Sequence, residues 1–132
     1  LFQSLGSSGV LTVLGAALAE SKILFLSSDV SLLPAACESL RTMMYPLKWA
    51  HVYLPVVPAP LLDLVQAPVP FILGTLTKWL SLIPTECLCD VVIVNLDSGA
   101  IDSIRTFATS RSELTLPFPF KIQTWLLCSI QQ

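Results

Sequence analysis

The residues that could carry covalent chemistry are few and lie far apart in the sequence. His51 is the only histidine, so a Ser–His–Asp hydrolase would have to use it as its general base. It stands between Trp49 and Tyr53 at the start of a predicted strand, where we expect local packing or hydrogen bonding. Asp90 and Asp97 flank another predicted strand at opposite ends, too far apart for a carboxylate pair. We therefore predict no catalytic residue and no enzyme of covalent chemistry.

The cysteines and glycines do not have the spacing of a metal or cofactor site. Cys87 and Cys89 are separated by one residue, whereas zinc knuckles and thioredoxin-like sites use two. With Cys37 and Cys128 they are predicted to be free, reduced thiols that bind no metal. The run Gly6-Ser7-Ser8-Gly9 follows no predicted strand. It fits neither the P-loop pattern GxxxxGK(S/T) nor the dinucleotide-binding pattern GxGxxG. We expect no cofactor.

Composition limits the class of protein and its partners. The chain has 132 residues with 54% hydrophobic and 12% charged, about half the charge of an ordinary soluble domain. Seven lysines and arginines and a net charge of −2 argue against nucleic acid as a partner. Prolines interrupt the apolar stretches 52–62 and 64–77, so no transmembrane span is expected. A chain this apolar that begins without Met is expected to be part of a longer protein.

The hydrophobic pattern predicts alternating helices and strands. Continuous apolar runs such as 22–27 are typical of strands buried on both faces of a parallel sheet. The fold class predicted is α/β, a layered and mostly parallel sheet with helices on both faces. Residues 1–105 would form this segment, and 106–132 a linker or tail without assignment. The predicted elements are a helix over 8–20, a strand over 22–27, a helix over 34–44, a strand over 52–57, a short helix over 61–65, a strand over 68–74, a helix over 75–82 and a strand over 90–97.

Four phrases occur in a fixed order along the chain. They are Lys-Ile-Leu-Phe-Leu-Ser-Ser at 22–28, Tyr-Pro-x-x-Trp-x-His-x-Tyr-x-Pro at 45–55, Ala-Pro-x-Pro-Phe-x-x-Gly at 67–74 and Val-Val-Ile-Val-Asn-Leu-Asp at 91–97. Together they resemble the central segment of a DENN module, over about residues 1–101. Their characteristic residues are expected to fix turns, strand entries and sheet packing: Tyr45, Pro46, Trp49, His51, Tyr53, Pro55, Pro68, Pro70 and Asp97.

The resemblance implies a role in membrane traffic. DENN modules act as guanine-nucleotide exchange factors for Rab GTPases, an activity that needs differential binding and no nucleophile. It implies a fragment that promotes GDP release from a Rab GTPase, cytoplasmic and recruited to endosomal or vesicle membranes through its parent protein. The alternative is a DENN-type scaffold that binds trafficking or autophagy partners without exchange activity. Exchange predicts a preference for nucleotide-free GTPase, whereas a scaffold would show none.

A general rule for open α/β sheets suggests where a partner would bind. Ligands favour the carboxyl ends of the strands. The rule selects Ser27, Ser28 and Asp29 after the first predicted strand, and Gly74 and Thr75 after the third. These five residues are the predicted partner-binding positions.

Overall fold

The computed structural model describes residues 1–103. The predicted tail over 106–132 lies outside the described residues. The α-helices and strands are α1 (Phe2–Leu18), β1 (Lys22–Ser27), α2 (Leu32–Met43), β2 (Val52–Leu54), β3 (Phe71–Leu76), β4 (Val91–Asn95) and β5 (Ile101–Ser103). Three 3-10 helices complete the described part, at Ala59–Gln66, Thr77–Leu82 and Thr85–Leu88.

The strands form one mixed sheet in the order β2-β3-β1-β4-β5. The first four are parallel, and β5 runs antiparallel to β4. The predicted α/β class with a mostly parallel sheet is confirmed. The antiparallel edge strand was not predicted; it follows a tight turn at Gly99, whose φ of 71° suits glycine.

Side chains alternate between the two faces of the sheet, as period-two geometry requires. Ile23 and Phe25 of β1 pack on the face covered by α1 and α2. Leu24 and Leu26 pack on the opposite face, against Leu62 and other apolar residues of the 3-10 segments. The predicted helices on both faces are present, but one layer consists of 3-10 helices. No helix within residues 1–103 is long and apolar enough to cross a bilayer.

Prolines explain why two of the predicted strand boundaries are wrong. β2 ends at Leu54 rather than at 57, because Pro55 cannot donate a ladder hydrogen bond. Pro68 and Pro70 precede β3, which therefore begins at Phe71. The third predicted strand thus begins three residues later and ends two residues later than expected, and the segment after it is a 3-10 helix over Thr77–Leu82.

The first helix is longer than its prediction. α1 begins at Phe2 and contains a kink at Gly6, where φ is 68°. The sequence predicts a start near Ser8, because Ser and Gly residues weaken the helical pattern before it. The kink explains how the chain accommodates those residues within one element.

Candidate functional site

The carboxyl ends of three neighbouring strands meet at the carboxylate of Asp97. Ser27, the last residue of β1, donates its hydroxyl to Asp97 Oδ1 at 2.9 Å. The backbone N–H of Ser28 donates to Oδ2 at 2.7 Å, and Thr77 Oγ1 donates to the same oxygen at 3.3 Å. Because Thr77 follows β3 and Asp97 follows β4, one side chain ties together the ends of β1, β3 and β4. We call this region the carboxyl edge.

The turn after β4 places Asp97 locally. Asn95 Oδ1 accepts the backbone N–H groups of Asp97 at 2.9 Å and Ser98 at 3.2 Å. An asparagine side chain that accepts from the backbone two residues later is the usual Asx turn. The local sequence Asn-Leu-Asp-Ser therefore fixes the backbone of the turn that carries Asp97.

Asp29 belongs to the same edge. Its backbone N–H donates to Ser27 Oγ at 3.1 Å, so Ser27 links the two aspartates. Asp29 Oδ1 in turn accepts the N–H of Ser31 at 2.9 Å and its hydroxyl at 2.7 Å. The chain between β1 and α2 is thus held in a defined loop at the carboxyl edge.

Both carboxylates are stabilised in their charged form. The hydroxyl and N–H of Ser31 lower the pKa of Asp29 against opposing burial and the repulsion of Asp97. For Asp97, desolvation acts to raise the pKa, but the hydrogen bonds from Ser27, Ser28 and Thr77 together outweigh it and lower the pKa. The edge therefore presents negative charge at neutral pH.

Exposed aliphatic residues accompany these charges. Val30 follows Asp29 in the β1–α2 connection and Leu32 begins α2; both are exposed. Among residues 1–103, no group of three or more His, Cys, Asp or Glu side chains could hold a metal. Carboxylates with exposed aliphatic neighbours are suited to contact with a protein surface.

The structure brings together three of the five predicted partner-binding residues and separates the other two. Ser27, Ser28 and Asp29 meet at the carboxyl edge. The prediction that Gly74 and Thr75 follow the third strand is wrong, because both lie inside β3 and are buried. Apolar packing on both faces of β3 leaves them no exposed side chain with which to contact a partner.

Gly74 and Thr75 instead hold the segment after β2 against the sheet. A Cβ at Gly74 would lie 2.2 Å from the carbonyl oxygen of Pro55, so only glycine permits this approach. Val57 N–H donates to the Gly74 carbonyl at 2.7 Å, and Thr75 Oγ1 donates to the Val57 carbonyl at 3.3 Å. The glycine therefore permits a close approach between the backbone after β2 and β3.

The sequence did not indicate the full contribution of three further residues. Thr77 and Ser31 contribute hydroxyls to the carboxyl edge, and Asp97 is its central acceptor rather than a simple turn residue. The available signal was topological: parallel neighbouring strands place the residues that follow them at one edge.

The characteristic residues of the 45–55 phrase do not all pack against the sheet. Trp49 Nε1 donates to the Val52 carbonyl at 3.0 Å, and Tyr53 Oη donates to Glu38 Oε1 at 2.5 Å. Burial and this bond raise the pKa of Tyr53. Tyr45, which was expected to fix a turn and pack, lies in the turn after α2 and is 84% exposed.

His51 lies at the opposite end of the strands from the carboxyl edge. It precedes β2, with its ring edge-on to Trp49 at a centroid distance of 5.2 Å. Its Nε2 is 3.2 Å from Glu20 Oε1, without hydrogen-bond alignment and without another partner in the described part of the chain. Neither a serine nor an aspartate contacts this imidazole within residues 1–103, so its surroundings there do not form a hydrolase triad.

Comparison with known proteins agrees with this architecture, an α/β domain with a polar edge built from strand ends. A profile of the DENN (AEX-3) domain matches residues 1–99. The chain is 39% identical over 104 residues to "Elicitor of plant defense protein 1" of Gibberella zeae, covering 78% of this chain and 9% of that protein. It is 33% identical over 96 residues to mouse DENN domain-containing protein 2A, covering 73% of this chain and 10% of that protein.

The chain belongs to the DENN family. Mouse DENN domain-containing protein 2D is 32% identical over 123 residues, which cover 93% of this chain and 25% of that protein. The chain thus spans between about a tenth and a quarter of the length of these relatives.

Proposed function

We propose that this segment is part of a guanine-nucleotide exchange factor that promotes GDP release from a Rab-type GTPase. The observation that carries the proposal is the DENN-domain match over residues 1–99. Exchange requires a surface that binds the GTPase more tightly when nucleotide has left, and it requires no nucleophile. The protein would act in the cytoplasm, at the endosomal or vesicle membrane that carries the GTPase.

The carboxyl edge is the surface of this segment that we propose for the GTPase. It combines the ordered carboxylates of Asp29 and Asp97 with exposed aliphatic side chains at Val30 and Leu32. Ser27 and Ser28 fix the loop that carries part of this surface. Apolar contact would supply affinity, and the carboxylates would select a partner that presents lysine or arginine.

The test is release of fluorescent GDP from a panel of Rab GTPases by the full-length parent protein. At least one GTPase should release GDP faster in its presence. Val30→Arg places a long cation on the carboxyl edge and should slow this release about tenfold. Val69→Arg is the matched control, because Val69 is exposed to a similar degree, 41% against 46%, and lies before β3 at the other end of the strands.

Two results would contradict exchange, and a third would contradict the proposed contact surface. Absence of accelerated release across the panel would refute exchange. Binding that does not prefer nucleotide-free GTPase would identify a scaffold instead. An equal loss in Val30→Arg and Val69→Arg would leave exchange in place but refute the carboxyl edge as its contact surface.

A further inference from the structure

The amino-terminal ends of the strands carry a second feature, an open pocket of about 160 Å³. β1 begins at Lys22 and β2 at Val52, and the pocket is formed by the segments that immediately precede them. It therefore lies opposite the carboxyl edge. We call it the amino-edge pocket; its lining is Ala17, Leu18, Glu20, Met44, Leu47, Lys48, Trp49, Ala50 and His51.

The 45–55 phrase supplies more than half of this lining, at positions 47–51. Trp49 is fixed by its hydrogen bond to the Val52 carbonyl and by the edge-on contact with His51. Glu20, on the other wall, has a φ of 54°, a conformation uncommon for residues other than glycine. The proposed GTPase contact explains neither the fixed tryptophan nor the unusual turn at Glu20.

The size of the pocket selects the kind of ligand. Small-molecule sites usually enclose roughly 300–1,000 Å³, and about 160 Å³ is well below that range. A cavity of roughly 150 Å³ holds one benzene-sized group. Leu18, Met44 and Trp49 offer apolar walls, so the pocket fits a single aliphatic or aromatic side chain.

The surroundings of the pocket indicate that this side chain comes from a protein. Leu47 is 59% exposed, and Tyr45, two residues before it, is 84% exposed. Leu47, which lines the pocket, thus extends its apolar wall onto the exposed rim. One buried anchor surrounded by a contact rim is the arrangement found at binding hot spots.

The charges at the rim define what flanks the anchor. Glu20 and Lys48 have opposite sign and line the same pocket. Within residues 1–103 an ion pair joins Arg41 to Glu38, and His51 Nε2 lies 3.2 Å from Glu20 Oε1; Lys48 takes part in neither contact. A partner segment with an acidic residue on one side of its anchor and a basic residue on the other would complement both charges.

We propose that the amino-edge pocket docks a short peptide segment of a partner protein. One aliphatic or aromatic side chain of that segment fills the pocket, an acidic residue pairs with Lys48 and a basic residue lies beside Glu20. This docking surface is separate from the one proposed for the GTPase, because the pocket and the carboxyl edge lie at opposite ends of the strands.

The test is selection of short random displayed peptides on the full-length parent protein. Wild type should enrich peptides with an apolar residue flanked by opposite charges. Ala50→Phe fills the pocket from an exposed position. It should weaken the binding of a synthetic copy of the enriched peptide about tenfold or more. Ala35→Phe, at an exposed alanine of α2 outside the pocket, should leave that affinity unchanged.

A charge-reversal variant tests the rim without altering the pocket. Peptides selected on Lys48→Glu should carry a basic residue on the flank where wild type selects an acidic one. This test remains valid even if Ala50→Phe fails to fold. The proposal is wrong if enrichment shows no apolar anchor, if Ala35→Phe weakens binding as much as Ala50→Phe, or if Lys48→Glu selects the same peptides. Dimerisation of the parent that Ala50→Phe abolishes would instead assign the pocket to a second copy of this chain.

Discussion

The Asp97 side chain accepts hydrogen bonds from segments that follow different strands. Ser27 and Ser28 donate from the end of β1, and Thr77 donates from the segment after β3. A carboxylate oxygen can accept more than one such bond, whereas an asparagine amide replaces one acceptor with a donor. The charge of Asp97 is therefore a structural requirement of the carboxyl edge.

Asp97→Asn should lower the melting temperature of the chain at neutral pH. Because the folded pKa of Asp97 is lowered, its contribution is complete above the unfolded value of about 4 and disappears as pH falls through the folded pKa. The difference in melting temperature between wild type and Asp97→Asn should be constant from about pH 7 to 5 and narrow below about pH 4. Asp63→Asn, at an exposed residue of the first 3-10 helix, is the control and should change little. A difference that grows on acidification would contradict this role.

Cys37 should be chemically silent in the folded chain. Burial, with a smaller effect of the neighbouring Glu38, raises the pKa of its thiol to about 12. Cys87 and Cys89 are only half-buried, and none of the three is bridged. Alkylation at neutral pH, located by mass spectrometry, should modify Cys37 at least about a hundredfold more slowly than Cys87. Denaturant should remove the difference, and equal rates in the folded chain would show that Cys37 is accessible.

At the scale of elements, Gly74 controls how the chain after β2 lies on the sheet. Gly74→Ala would force the Pro55 carbonyl away and strain the hydrogen bond from Val57, with a loss of about 3 kcal/mol in the free energy of unfolding. Gly9→Ala in α1 is the matched substitution. Its Cβ would meet the Leu5 side chain at 3.0 Å, and better helix propensity offsets this contact, so the change should stay within about 1 kcal/mol. Chemical denaturation measures both, and similar losses would contradict the assigned role of Gly74.

The elements that could be predicted are those whose sequence carries its own signal. The unbroken apolar runs around Phe25 and Ile93 predicted buried parallel strands, and the structure confirms them. β5 has three described residues and no pattern, so pairing with β4 alone defines it. The segment after β3 was predicted as a helix that begins at Thr75, but β3 continues to Leu76 and the 3-10 helix begins at Thr77. Gly74 within β3 permits the close approach of the Pro55 carbonyl, a contact that sequence spacing does not show.

The residues of the candidate site likewise divide into those that the sequence indicates and those that only the folded structure shows. Ser27, Ser28 and Asp29 were found because strand ends in parallel sheets meet at one edge. The meeting of Thr77 with Asp97 depends on the order of β3, β1 and β4 in the sheet, which the sequence does not specify. The amino-edge pocket likewise forms only because the end of α2 lies beside the end of α1 in the fold. The 45–55 phrase that supplies much of its lining is visible in the sequence.

At the scale of the whole molecule, the exposed apolar side chains exceed what the two proposed contact surfaces explain. Leu54 ends β2, Val56 follows it and Leu61 lies in the first 3-10 helix; all three are exposed. They belong to neither the carboxyl edge nor the amino-edge pocket. β2 is also an edge strand, and Trp49 occupies one of its carbonyl groups, at Val52. We expect the rest of the longer parent to contact this part of the surface.

The 132-residue chain expressed alone should therefore self-associate and fail to accelerate GDP release from a Rab GTPase. Exposed apolar residues beside an edge strand favour pairing between copies, whereas lysine at such positions opposes it. Light scattering after size-exclusion chromatography should show oligomers for wild type and a shift toward monomer for Leu54→Lys with Leu61→Lys. Ser39→Lys on α2 adds one positive charge elsewhere and should leave the oligomers unchanged. A monomeric wild-type chain that releases GDP as fast as the full-length parent would show that this segment is sufficient for exchange by itself.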